Sequence, residues 1–119
     1  MPTPKDHADT AAEAIHNLNH ATLRPGDGWT EPADAHNVIG GLADTARRLP
    51  QTIDQIQLHL NRLDADGHLD SAYRDHFDIL PDLLTATRQR LADARRAAAA
   101  LNRALDAAHA TTASLTRKD

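Results

Sequence analysis

Asp9, Glu13, His16 and His20 have the types and spacing to hold a metal ion: they fall on one helical face, and Glu13-Ala14-Ile15-His16 is a Glu-x-x-His motif. Di-iron helical bundles use two such motifs and two further inward-facing glutamates. This chain contains only Glu13 and Glu31, so it cannot supply that set by itself. The stripe also lies opposite Ile15 and Leu18, which directs it to solvent. A weaker zinc site on Glu13, His16 and His20 is the chemistry these residues leave open.

A second constellation is LDADGHLD, residues 63–70, which begins like a calcium loop. An EF-hand needs oxygen ligands at loop positions 1, 3 and 5, glycine at 6 and glutamate at 12. With Gly67 at position 6, Asp66 and Asp64 fit, but Arg62 falls at position 1 and Tyr73 at 12. Two essential ligands are missing, so the stretch reads as a hinge: Gly67 ends one helix in the left-handed conformation and Asp70 caps the next. Arg88, Arg95, Arg96 and Arg103 line one flank of a C-terminal helix, as a phosphate-binding stripe would. Residues 1–66 carry twice as many acidic as basic side chains, and these are the nearer partners for the arginines. Ser71 and Ser114 have no histidine and carboxylate at a diagnostic spacing, and no glycine-rich phosphate loop occurs. No catalytic set and no cofactor site is therefore expected.

The elements that carry these residues are helices. In 119 residues with one Trp, one Tyr and one Phe, the core must be aliphatic, and no segment alternates like a strand. Thr3-Pro4-Lys5-Asp6 reads as a helix start, and RPGDG at 24–28 as its end. A second start at Thr30-Glu31-Pro32 leads into a seam through Ala35, Ile39, Leu42, Ala46, Leu49, Ile53, Ile56, Leu60 and Leu63. Pro50 interrupts that seam and predicts a kink or a break at Leu49-Pro50. A third seam runs from Tyr73 and Phe77 through Leu80, Leu84, Thr87, Leu91, Ala94, Ala98, Leu101, Leu105, Ala108, Thr112 and Leu115. LPQTIDQIQLHL from Leu49 and LPDLLTATRQRL from Leu80 align without gaps, which suggests a Leu-Pro kink on both long helices.

The expected architecture is thus a single all-α domain, an antiparallel helical bundle. Its helices span about 4–22, about 31–65 with a proline kink, and about 71–112 with a kink near Pro81; a loop at 23–30 and a turn at 66–70 join them. The C-terminal seam looks longer than its partners can cover, which leaves Leu101, Leu105 and Leu115 in search of another chain. Trp29, alone in a loop, reads as a lid over the bundle end or as a partner anchor.

The stretches AIHNLNHATL at 14–23 and EPADAHNVIGGLADTARRLPQTIDQI at 31–56 resemble a recurrent pattern in uncharacterised small helical proteins of Streptomyces-like actinobacteria. That resemblance implies a cytoplasmic setting and brings no activity or site residue with it. The absence of cysteine fits a reducing compartment, no apolar run approaches the roughly 20 residues that cross a bilayer, and a net charge of −4 argues against a general nucleic-acid binder. The function these features favour is a non-catalytic interaction or assembly module working through helix–helix association, as a homodimer or with another helical protein. Leu91, Leu101, Leu105, Leu115, Arg88, Arg95, Arg96 and Trp29 are its candidate contact residues. The alternative is a small metal- or ligand-binding bundle using the Asp9/Glu13/His16/His20 face.

Overall fold

A computed structural model describes residues 1–72 and 79–119. It contains three α-helices, α1 (Pro4–Ala21), α2 (Pro32–Ala65) and α3 (Leu80–Thr112). The fold is all-α, and its packing is an antiparallel pairing of α2 with α3. Among the described residues no strand forms; a single bridge joins Gly26 to Trp29.

Each helix end has a local cause. At α1 the Thr3 hydroxyl accepts from the Asp6 N–H at 3.2 Å while the Asp6 carboxylate accepts from the Thr3 N–H at 2.9 Å, a reciprocal capping box. At α2 the N-cap is Glu31, and the Asp34 carboxylate accepts from both the Thr30 and Glu31 amides at 2.9 Å. Those two backbone donors hold the Asp34 carboxyl below its ordinary value. α2 closes as expected at Gly67, with φ +71°: the His68 amide donates to Leu63 O at 2.8 Å and the Gly67 amide to Asp64 O at 3.0 Å. These paired bonds form a Schellman motif, which satisfies carbonyls that the helix end would leave orphaned.

α2 runs unbroken through Pro50, so of the two expectations at Leu49-Pro50, a kink or a break, the break does not occur. Two expectations need correction. α3 begins at Leu80 instead of residue 71: Ser71 and Ala72 are non-helical and Ile79 is the N-cap. Pro81 therefore lies in the first turn, where its missing N–H is one the helix could not have paired anyway. The two Leu-Pro pairs thus do different jobs, one inside a helix and one at a start. Tyr73 and Phe77 lie outside the described residues.

The second correction concerns length. α2 has 34 residues and α3 has 33, each about 50 Å long, so α3 does not outrun its partner. Arg117, just past the end of α3, pairs with Glu31 at the start of α2. At the other end Asp64 shares an open groove with Leu80, Pro81 and Leu84.

α1 stands apart. It makes no packing contact with α2 or α3 and buries none of its residues. The chain extends over 71 × 29 × 25 Å with a radius of gyration of 19.8 Å, against about 13.5 Å for a compact domain of this length.

Two measurements test these local causes. Pro50→Ala restores a helical N–H in mid-α2 and is expected to stabilise the fold by about 1–3 kcal/mol, several degrees in thermal midpoint by circular dichroism. The Asp34 cap acts through the ionised form. Its contribution is complete above the ordinary value of 3.8 and disappears as pH falls through the lowered one. Acid titration of helicity should therefore lose this component below that value, and Asp34→Asn should remove it from the profile.

Candidate functional site

The α2/α3 contact is built on small side chains. Ala43 and Ala46 of α2 are 2% exposed and Ala98 of α3 is 7% exposed; they are the buried apolar residues among those described. Alanine at these positions brings the backbones close enough for side chain to reach main chain. Asn102 Nδ2 donates to the carbonyl of Ala43 at 3.0 Å. Nearer the chain's C-terminus, the ring of His109 fills the notch left by Gly40, where a Cβ would stand 2.9 Å from Nε2. The same ring stacks on His36, with centroids 3.9 Å apart and planes 13° from parallel. His36 Nδ1 lies 2.8 Å from the Thr112 hydroxyl, which itself donates to the carbonyl of His109.

The register of α3 follows from these contacts. Ala98, Asn102, Leu105, His109 and Thr112 turn toward α2, whereas Leu101 is 49% exposed. The expected seam put Leu101 where Asn102 lies. A half-buried amide is acceptable there because the Ala43 carbonyl pairs with it. Leu105, expected to stay wet, is half-buried; Leu91 is half-buried beside a groove formed with Ile53, Asp54, Gln57 and Arg95. Leu115, beyond α3, is exposed.

The remaining candidates do not gather into one site. Arg95 donates to Asp54 across the hairpin at 2.8 Å, and this hydrogen bond, reinforced by charge, raises its pKa. Arg96 pairs with Asp93 on its own helix, and Arg88 lines the groove with Asp64 and Leu80. Trp29 is half-buried in the loop before α2; its amide closes a turn onto Gly26 O at 2.9 Å, with Gly28 at φ +74°, and its side chain lines an open groove with Glu31, Pro32 and Ala35. On α1, Glu13, His16 and His20 are exposed, and Asp9 pairs with Lys5 at 2.6 Å. Among the described residues no three His, Asp or Glu side chains converge as a metal site would require.

What the hairpin does have is two unlike sides. Asp54 pairs with Arg95, and Arg47 with Asp106 at 3.2 Å. These pairs place the flank of α2 carrying residues 47 and 54 beside the flank of α3 carrying 95 and 106. On each helix the opposite flank must then share the hairpin's other side. From α2 that side receives Leu42, Leu49, Ile56 and Leu63; from α3 it receives Leu83, Arg90, Ala94, Ala97, Leu101 and Ala104. Leu49, Ile56, Leu83 and Leu101 are 40–49% exposed. One side carries the two cross-hairpin ion pairs together with the exposed Leu58; the other is lined mainly by aliphatic and small side chains, with Arg90 standing among them between Leu83 and Ala97. The sequence pattern shows the apolar stripes but not this offset, because that depends on which face of each helix meets the other.

No protein-family model, curated protein or solved structure matches this chain. No helix among the described residues is long and apolar enough to cross a membrane.

The notch at Gly40 has a sharp test. Gly41 has nothing within 4 Å of a Cβ, so Gly41→Ala is expected to stabilise α2 by about 0.5–1 kcal/mol through helix propensity. Gly40→Ala should lose that gain or reverse it, and combining it with His109→Ala should recover part of the loss. Denaturant melts of the three variants give the comparison.

Proposed function

We propose that this chain is a non-catalytic interaction or assembly protein that works by helix–helix association through the apolar side of the α2/α3 hairpin. One observation carries the reading: the hairpin buries only alanines as apolar core among the described residues while large aliphatic side chains stay wet along one side. Exposed leucines scattered singly are ordinary, but an aligned row bordered by charged flanks is a surface suited to a partner. The partner is helical, since two parallel ridges about 10 Å apart leave a groove that another helix or helix pair fills by ridge-into-groove packing. Of the candidate arginines, Arg95 contributes through its ion pair with Asp54, which links α3 to α2 on the polar side.

The metal-binding alternative on Asp9, Glu13, His16 and His20 gains no support from α1, whose carboxylates and imidazoles face solvent without a converging third ligand.

A photo-reactive phenylalanine analogue placed at Leu49, and separately at Arg48, tests the association. In cells producing the protein, the Leu49 position should crosslink efficiently to a polypeptide and the Arg48 position weakly or not at all. Equal labelling at both positions, or none at either, removes the proposal.

A further inference from the structure

We infer that the occupant of the apolar side is a second copy of this chain, docked about a two-fold axis running along the helices to give a four-helix bundle. This inference rests on the association reading above and names its partner.

Area supplies the first argument. The chain exposes 9493 Å²; a folded monomer of 12.9 kDa exposes about 6,300 Å², so roughly 3,200 Å² remains to be covered. Permanent homodimers bury about 2,000–5,000 Å² in total, or about 1,000–2,500 Å² from each copy. Part of the excess is the exposure of the unpacked α1, and the hairpin's wet aliphatic side holds a further part of it. α1 cannot be the cover itself. It is 18 residues, about 27 Å, against a strip of about 50 Å, and its large apolar side chains are only Ile15 and Leu18.

Self-complementarity is the second argument. On the strip, α2 presents bulky residues such as Leu49 and Ile56, while α3 presents the exposed alanines Ala94, Ala97 and Ala104 around Leu101. Rotation about an axis parallel to the helices lays the bulky α2 of one copy on the small-residue α3 of the other. That arrangement keeps every neighbouring pair of helices antiparallel, and it is isologous, so it closes at two copies.

Charge is the third. The cross-hairpin ion pairs, Arg95–Asp54 and Arg47–Asp106, lie on the side away from the strip. The strip can therefore be desolvated without stripping water from them, and Arg90, exposed in the row of Leu83 and Ala97, has the side-chain length to keep its guanidinium at the strip's edge.

Light scattering and sedimentation on the full chain give the test. The expected mass is twice 12.9 kDa, with a thermal midpoint that rises with protein concentration. Leu101→Asp, which puts a carboxylate into the interface twice, should weaken the dimer at least about 100-fold. Arg48→Glu, on the outer face of α2 away from α3, should leave the dimer intact and control for general effects of altered charge. Circular dichroism distinguishes dissociation from unfolding, and if Leu101→Asp unfolds, Ala97→Gln provides a milder block with the same expected direction. A chain that is monomeric at every concentration overturns the second copy; if the Leu49 crosslink then joins a different polypeptide, the association reading survives alone. A dimer that tolerates both Leu101→Asp and Ala97→Gln places the contact elsewhere and overturns the proposed face. Loss of the Leu49 crosslink together with a monomeric mass would remove both.

Discussion

The close approach of α2 and α3 on small residues is the constraint from which the rest of the molecule follows. With Ala43, Ala46 and Ala98 at the contact, the helices can come near enough for Asn102 to reach a main-chain carbonyl and for His109 to sit over Gly40. Leucine at those positions would push the axes apart and leave the amide and the imidazole without their partners. The contact is held by fit, by a few polar bonds and by aliphatic side chains such as Ile53, Leu84, Leu91 and Leu105, which it covers only in part. A hairpin made this way cannot fully hide its own leucines.

That choice of seam displaces the hydrophobic stripe. On α2 the residues turned most directly to α3 include His36, Ala43, Pro50 and Gln57, whereas Leu49 and Ile56 lie a quarter-turn away. On α3 the same offset frees Leu101. The ion pairs of the opposite flank decide that both displaced stripes emerge on one side and not on two. A pattern that looks like the interior of a bundle when each helix is read alone becomes a surface once the pairing is known.

Much of the architecture could be read from local chemistry. Thr3 with Asp6 and the glycine at 67 mark helix ends through bonds to residues three to five away, and such bonds are visible in sequence as spacing. The register of α3 was not legible in this way. The four alanines at 97–100 give every face the same weight, so periodicity cannot choose between Leu101 and Asn102. The choice lies with a carbonyl 59 residues distant. The start of α3 misleads for a related reason: Leu80-Pro81 repeats the Leu49-Pro50 pattern, although one proline lies in a first turn and the other in mid-helix. As for the candidate site, the clue available in sequence was the Gly40-Gly41 pair inside a helical seam. Glycine there costs helix stability, and one of the two is repaid by the histidine ring that fills its place.

The position of Trp29 gives the molecule a built-in optical reporter. It is the chain's sole tryptophan, half-buried in the turn that joins α1 to the hairpin. Its ultraviolet emission therefore registers events at that joint and is nearly blind to the opposite tip, where Gly67 turns the chain. Fluorescence colour and backbone dichroism would thus record separate happenings in this protein, and a mismatch between their transitions would be a map of where loosening begins.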